Sequence, residues 1–147
     1  MGMEHRRVGR DVFVRLDAGD EMHASIRELS AHGISAAAIT SGIGRIRNTV
    51  IGDLDAGGVY QKEVHEAPME LLSTQGNLAP GPDGPFTHIH IVGSDDNHVV
   101  QGGHLFEATV EVTAEMHLRV MDSGEDYSFK RVPTESEFVS LSFCDIE

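Results

Sequence analysis

Strand-like segments recur through nearly the whole chain and only one stretch carries helical spacing, which confines the fold to a sheet with a single principal helix. Val12-Phe-Val-Arg-Leu16 reads as the first strand. Asp20 then stands as the N-cap of a helix ending near Gly33, with Glu21 in the first turn and Met22, Ile26 and Leu29 on one apolar face. Ile34–Thr40 reads as a buried strand ending at Gly42-Ile-Gly44, where the backbone can bend or approach a neighbour. Arg47–Leu54 and Val59–Val64 flank Asp55-Ala-Gly-Gly58 as a hairpin, and Met69–Gln75 is extended again after Pro68. Leu78–Pro85, rich in Pro and Gly, reads as a surface loop. Phe86–Gly93 and Thr109–Val120 are further strands, with a turn over Ser94–Asn97. A short second helix is expected over Gly102–Phe106 or Pro133–Glu137.

The 147 residues suit one domain over 1–147, large enough to bury about two-thirds of its unfolded surface, with residues 1–10 as a flexible tail. With 24 acidic and 11 basic residues the net charge is −13, a field that repels phosphate backbones, and the basic run at Arg6, Arg7 and Arg10 is too small to reverse it. Direct nucleic-acid binding is therefore not expected. The single cysteine, Cys144, excludes an intramolecular disulfide and a thiolate zinc site, fits a reducing cytoplasm, and lies on a strand pattern as a packed small residue. The N-terminus lacks a signal-peptide stretch, and no segment approaches membrane-spanning length, so no membrane partner is expected.

Chemistry concentrates in the histidines. In Phe86-Thr-His-Ile-His-Ile-Val92 strand alternation sends His88 and His90 to one face and Thr87, Ile89 and Ile91 to the other. Two imidazoles then stand about 6 to 7 Å apart along the strand and can reach one ion between them. His104 follows after a turn and Gly102-Gly103, whose missing side chains allow close strand approach. Three neutral histidines with an open position suit a divalent metal, zinc, nickel, copper or iron. His5, His23, His32, His65, His98 and His117 lack ligand spacing and read as structural or surface residues; His23 and His32 fall on the polar side or end of the helix.

Ala37-Ala-Ile-Thr-Ser-Gly-Ile-Gly44, Pro68-Met-Glu-Leu-Leu-Ser73 with Gly76-Asn77, Phe86-Thr-His-Ile-His-Ile91 and Val100-Gln-Gly-Gly-His-Leu105 follow in an order that resembles the plant and prokaryote conserved (PPC) domain of the stand-alone prokaryotic type. The resemblance implies an α+β fold with a largely antiparallel sheet, one main helix packed across it, and a homotrimer. It also implies a metal site at His88, His90 and His104, with zinc the expected ion. Glu70 and Asn77 fall on family positions, and Glu70 is the candidate proton carrier. Two function classes follow: a small-molecule-binding or hydrolase- or lyase-type metalloprotein, or a non-catalytic trimeric module that recruits partners in transcription. The family's DNA-binding label is not carried by this chain, because Arg7-Val-Gly-Arg10 is no minor-groove hook. Gly42-Ile-Gly-Arg45 with Arg45 or Arg47 is a weaker candidate cradle for a small anionic ligand such as a carboxylate.

Overall fold

The computed structural model describes residues 2–121 and 129–143. Among these residues nine strands and one short helix follow in order. They are β1 (Glu4–Val8), β2 (Asp11–Asp17), α1 (Met22–Glu28), β3 (Ala37–Leu54), β4 (Tyr60–His65), β5 (Met69–Gly81), β6 (Gly84–Ser94), β7 (Val100–Val120), β8 (Phe129–Pro133) and β9 (Val139–Phe143). Seven strands form one antiparallel sheet in the order β1-β2-β7-β6-β5-β3-β4. An extra β7–β3 pairing makes β3, β5, β6 and β7 close on themselves. The fold is thus mostly antiparallel sheet with one short helix, an α+β arrangement as expected.

The core follows from alternation. Val12, Val14 and Leu16 of β2 are buried while Phe13 between them is 66% exposed, and Leu105, Val110, Met116, Leu118 and Val120 of β7 face the same interior. Met22, Ile26 and Leu29, the predicted apolar face, join that core as α1 packs on β6 and β7. The helix begins one residue later than Asp20 would place it: Glu21 is the N-cap, its carboxylate accepting from the Ala24 N–H at 2.7 Å, while Asp20 accepts from the Asp17 N–H. A 3-10 turn over Leu29–His32 extends it to Gly33, whose φ of 81° is the expected left-handed cap.

Several boundaries differ from the sequence reading. The segment read as part of a flexible tail holds β1, whose hairpin to β2 turns on Gly9 and Arg10, with Gly9 at φ 61° in the position that a II′ turn reserves for glycine. The expected loop at Leu78–Pro85 is the end of a long β5–β6 hairpin, paired out to Gly81 and Gly84, with Pro80 opposite Pro85. The two strands predicted around Gly42-Ile-Gly44 are one strand, β3, bent by register shifts against β7 rather than broken. No helix forms over Gly102–Phe106, which is extended within β7, nor over Pro133–Glu137, which ends β8 and turns toward β9. The Asp55–Gly58 hairpin turn is present, fixed by the Asp55 carboxylate accepting from the Gly57 and Val59 N–H groups. Cys144 lies outside the described residues.

Candidate metal centre

β6 supplies two of the three histidines. Thr87, Ile89 and Ile91 turn inward and are buried, leaving His88 half-buried and His90 exposed on the other face. His104 on β7 pairs directly with His90, and directly opposed residues of an antiparallel pair share a face. The close approach of β7 to its neighbours depends on the two glycines that precede His104 within it. A Cβ on Gly102 would lie 2.6 Å from the Ile91 carbonyl oxygen, and one on Gly103 would lie 2.8 Å from that of Gly52.

The result is a cluster in which one ring nitrogen from each of His88, His90 and His104 lies within 4.8 Å of the other two. Nε2 of His88 and Nε2 of His90 are 3.1 Å apart. Two nitrogens bound to one tetrahedral zinc at about 2.0–2.1 Å lie about 3.3 Å from each other, so the pair is already at a coordinating separation. The donor set fits a divalent ion. No other group of three or more His, Cys, Asp or Glu side chains converges in this way among the described residues.

The site's surroundings keep two of the imidazoles neutral, as ligands must be. Burial, then the charges of Arg131, His90 and His23, lower the His88 pKa to about 4. Burial, then His88, His90, His23 and Lys62, lower that of His104 to about 4. Both folded values lie below the ordinary 6.5, so the unfolded chain binds the extra protons at mildly acid pH. The stability these groups preserve is complete above pH 6.5 and is lost as pH falls through 4. Nuclear magnetic resonance titration of the metal-free protein should give midpoints near 4 for His88 and His104; midpoints near 6.5 would contradict this environment.

A cleft of about 380 Å3 opens over His88 and His104. Tyr60 and Phe106 each stack against His104 with ring centres 4.6 Å away, and Phe138 stands 6.3 Å from His88. Arg131, 3% exposed, braces the β8–β9 hairpin through Nη1 to the Val139 carbonyl at 3.0 Å and ties it to β5 through Nη2 to the Asn77 side-chain oxygen. Asn77 in turn is paired with His88 across β5–β6. The family-position asparagine is therefore an acceptor that holds Arg131 beside the cluster.

His23 departs from its expected place on the polar side of the helix. It is 7% exposed, and it bridges β6 and β7 beyond the His90–His104 pair. Nε2 donates to the Leu105 carbonyl at 2.8 Å, which can only accept, so Nδ1 accepts from the Thr87 hydroxyl at 2.7 Å. Burial is the main cause lowering its pKa, in keeping with that neutral form. His23 holds apart the two strands that carry the cluster, and its role is positioning.

The remaining candidates lie elsewhere. Glu70 does not line the cleft; its carboxylate takes a hydrogen bond from Arg45 at 2.9 Å, and the same guanidinium reaches Asp96 at 3.1 Å. That placement sets Glu70 apart from the histidines within one chain and leaves Arg45 committed to carboxylates. Gly42 and Gly44 form no cradle: a Cβ at Gly42 would meet the Thr74 Cβ at 2.7 Å, and one at Gly44 the Thr113 carbonyl oxygen at 2.1 Å. Arg47 pairs with Glu111. His117 lies between Thr40 and Asp11, His5 packs on His32, and His98 sits in the β6–β7 turn at φ 61°. The sequence reading missed Arg27, Tyr60, Lys62, Phe86, Phe106 and Phe138, which line the cleft and come from four different elements and the β8–β9 turn.

The profile of the Plants and Prokaryotes Conserved (PCC) domain matches residues 3–122. Among solved structures, a metal-containing protein from Archaeoglobus fulgidus is 36% identical, with 100% of this chain and 99% of that one covered at a TM-score of 0.76. A plant- and prokaryote-conserved protein from Pyrococcus horikoshii is 25% identical, covering 98% and 96%, at a TM-score of 0.79. A candidate DNA-binding protein from Bacteroides thetaiotaomicron, 16% identical over 97% and 99%, shares the fold at a TM-score of 0.84. No curated protein matches.

Proposed function

The chain belongs to the Plants and Prokaryotes Conserved domain family, and from that premise we propose that it is a metal-binding member in which His88, His90 and His104 hold one divalent ion, zinc by preference. The convergence of three ring nitrogens within 4.8 Å carries this reading, and the likeness to the metal-containing Archaeoglobus protein supports it. A bound ion of this kind supplies Lewis acidity, polarising a carbonyl or making bound water more acidic. The chain's own part is to keep His88 and His104 neutral, to space β6 and β7 through His23, and to wall the cluster with Tyr60, Phe106 and Phe138. On this reading the chain is a small-molecule-binding metalloprotein, with hydrolase or lyase chemistry as the matching reaction class. Elemental analysis of untagged, zinc-reconstituted protein should find about one equivalent per chain, and less than about 0.1 equivalent would overturn the reading.

The same proposal includes a homotrimer working in the cytoplasm. Its support is the exposure of Ile43, Leu72 and Val112, at 57%, 47% and 62%, along one shallow groove, an apolar surface that monomers rarely leave open. Light scattering should give three times the 16.0 kDa chain mass, with Ile43→Asp shifting it toward the monomer; a monomeric wild type contradicts the assembly. Among the described residues no helix is long and apolar enough to cross a membrane. Direct DNA contact is not part of the reading, given the −13 charge.

A further inference from the structure

We propose that the cleft over the three histidines is a binding site for a small aromatic carboxylate, its anionic end received by Arg27 and Lys62 and its ring by the aromatic wall. The inference deepens the metal-binding reading, since the ligand would lie beside the ion.

Charge carries the first half of the argument. Among the described residues the cleft's full charges are Arg27, Lys62 and Glu137, a net of +1 from two cations and one anion, on a chain whose net charge is −13. Glu137 is already engaged, its carboxylate accepting from the Tyr60 N–H at 2.7 Å. Close by, the guanidinium of buried Arg131 lies over the Phe86 ring at 5.6 Å, and its Nε has no hydrogen-bond partner among the described residues. A divalent ion on the histidines would add +2. An otherwise acidic surface thus gathers positive charge where a metal is to be held, an arrangement that favours an anion.

The aromatic residues decide what kind of anion. The chain has six Phe, two Tyr and no Trp, and four of those eight, Tyr60, Phe86, Phe106 and Phe138, line this one cleft. Lys62 is held over the Phe106 ring at 4.3 Å, so cation and aromatic wall adjoin. An inorganic anion makes no use of such a wall, whereas a flat ring gains area and edge-to-face contacts from it. The volume of about 380 Å3 lies within the usual range for a small-molecule site.

The test is calorimetric titration with benzoate, benzamide, acetate and inorganic phosphate, on metal-free and zinc-loaded full-length protein. Benzoate should bind about tenfold more tightly than each of the other three on both forms, and more tightly with zinc present. Arg27→Ala and Lys62→Gln should each weaken benzoate about five- to tenfold while zinc content stays at the wild-type level. Benzamide, acetate or phosphate binding as well as benzoate, or no change in either variant, would overturn the assignment. Failure of the metal reading is separately visible: no zinc is retained, yet the benzoate preference and both variant effects persist on the metal-free chain.

Discussion

Replacing His88 and His90 together by alanine is expected to abolish stoichiometric metal, weakening zinc binding more than about 100-fold, because loss of a ligand exceeds the 10–100-fold loss typical of its supporting partners. One imidazole, His104, would remain of the three that converge. The fold should survive. Both side chains stand on the face turned away from the core, one half-buried and one exposed, and the burial that holds His88 near a pKa of 4 marks an unfavourable site for its charged form rather than a source of stability. Isothermal titration with zinc reads the first effect, and urea unfolding of the metal-free variant, shifted by no more than about 1 kcal/mol, reads the second. Retained wild-type affinity would place the ion elsewhere.

Gly76→Ala should have the largest effect on stability. Gly76 pairs with Ile89 one step from the Asn77–His88 pair, at φ 155°, and a Cβ there would lie 1.9 Å from the His88 carbonyl oxygen. The backbone of the strand that carries His88 cannot yield without moving that side chain. We expect about 3 kcal/mol or more of destabilisation in urea unfolding, with reduced zinc affinity. Gly19→Ala is the control: its φ is 95°, but a Cβ there meets nothing within 4 Å, so only the conformational cost of about 1 kcal/mol remains. Equal costs at the two positions would show that the β5–β6 approach is looser than described.

Period-two alternation is a local property, which is why His88 and His90 could be placed on one face from the sequence. The third histidine could not: His104 meets them through the β6–β7 register, a pairing between distant segments that no local pattern encodes. It was named from the sequence after Gly102-Gly103, and the family resemblance supported its place in the set. The same limit explains β1, where four of five residues are exposed and no apolar rhythm exists; only pairing with β2 makes it a strand. At Leu78–Pro85 composition misled, because prolines opposite each other at a hairpin end read as loop. His23 lies on the flank of the helix rather than under its apolar stripe, so helical periodicity assigned it to solvent, while the opening between β6 and β7 buries it. Glu70 stood in a family motif, and the β3–β5 register sets it directly opposite Arg45.

The central claim is that these three histidines hold one metal ion, and anomalous X-ray diffraction across the zinc edge from crystals of untagged protein tests it most directly. The account predicts one anomalous peak per chain, within about 2.3 Å of a ring nitrogen of each of His88, His90 and His104. A peak at other residues, or none in crystals grown with zinc, would contradict it.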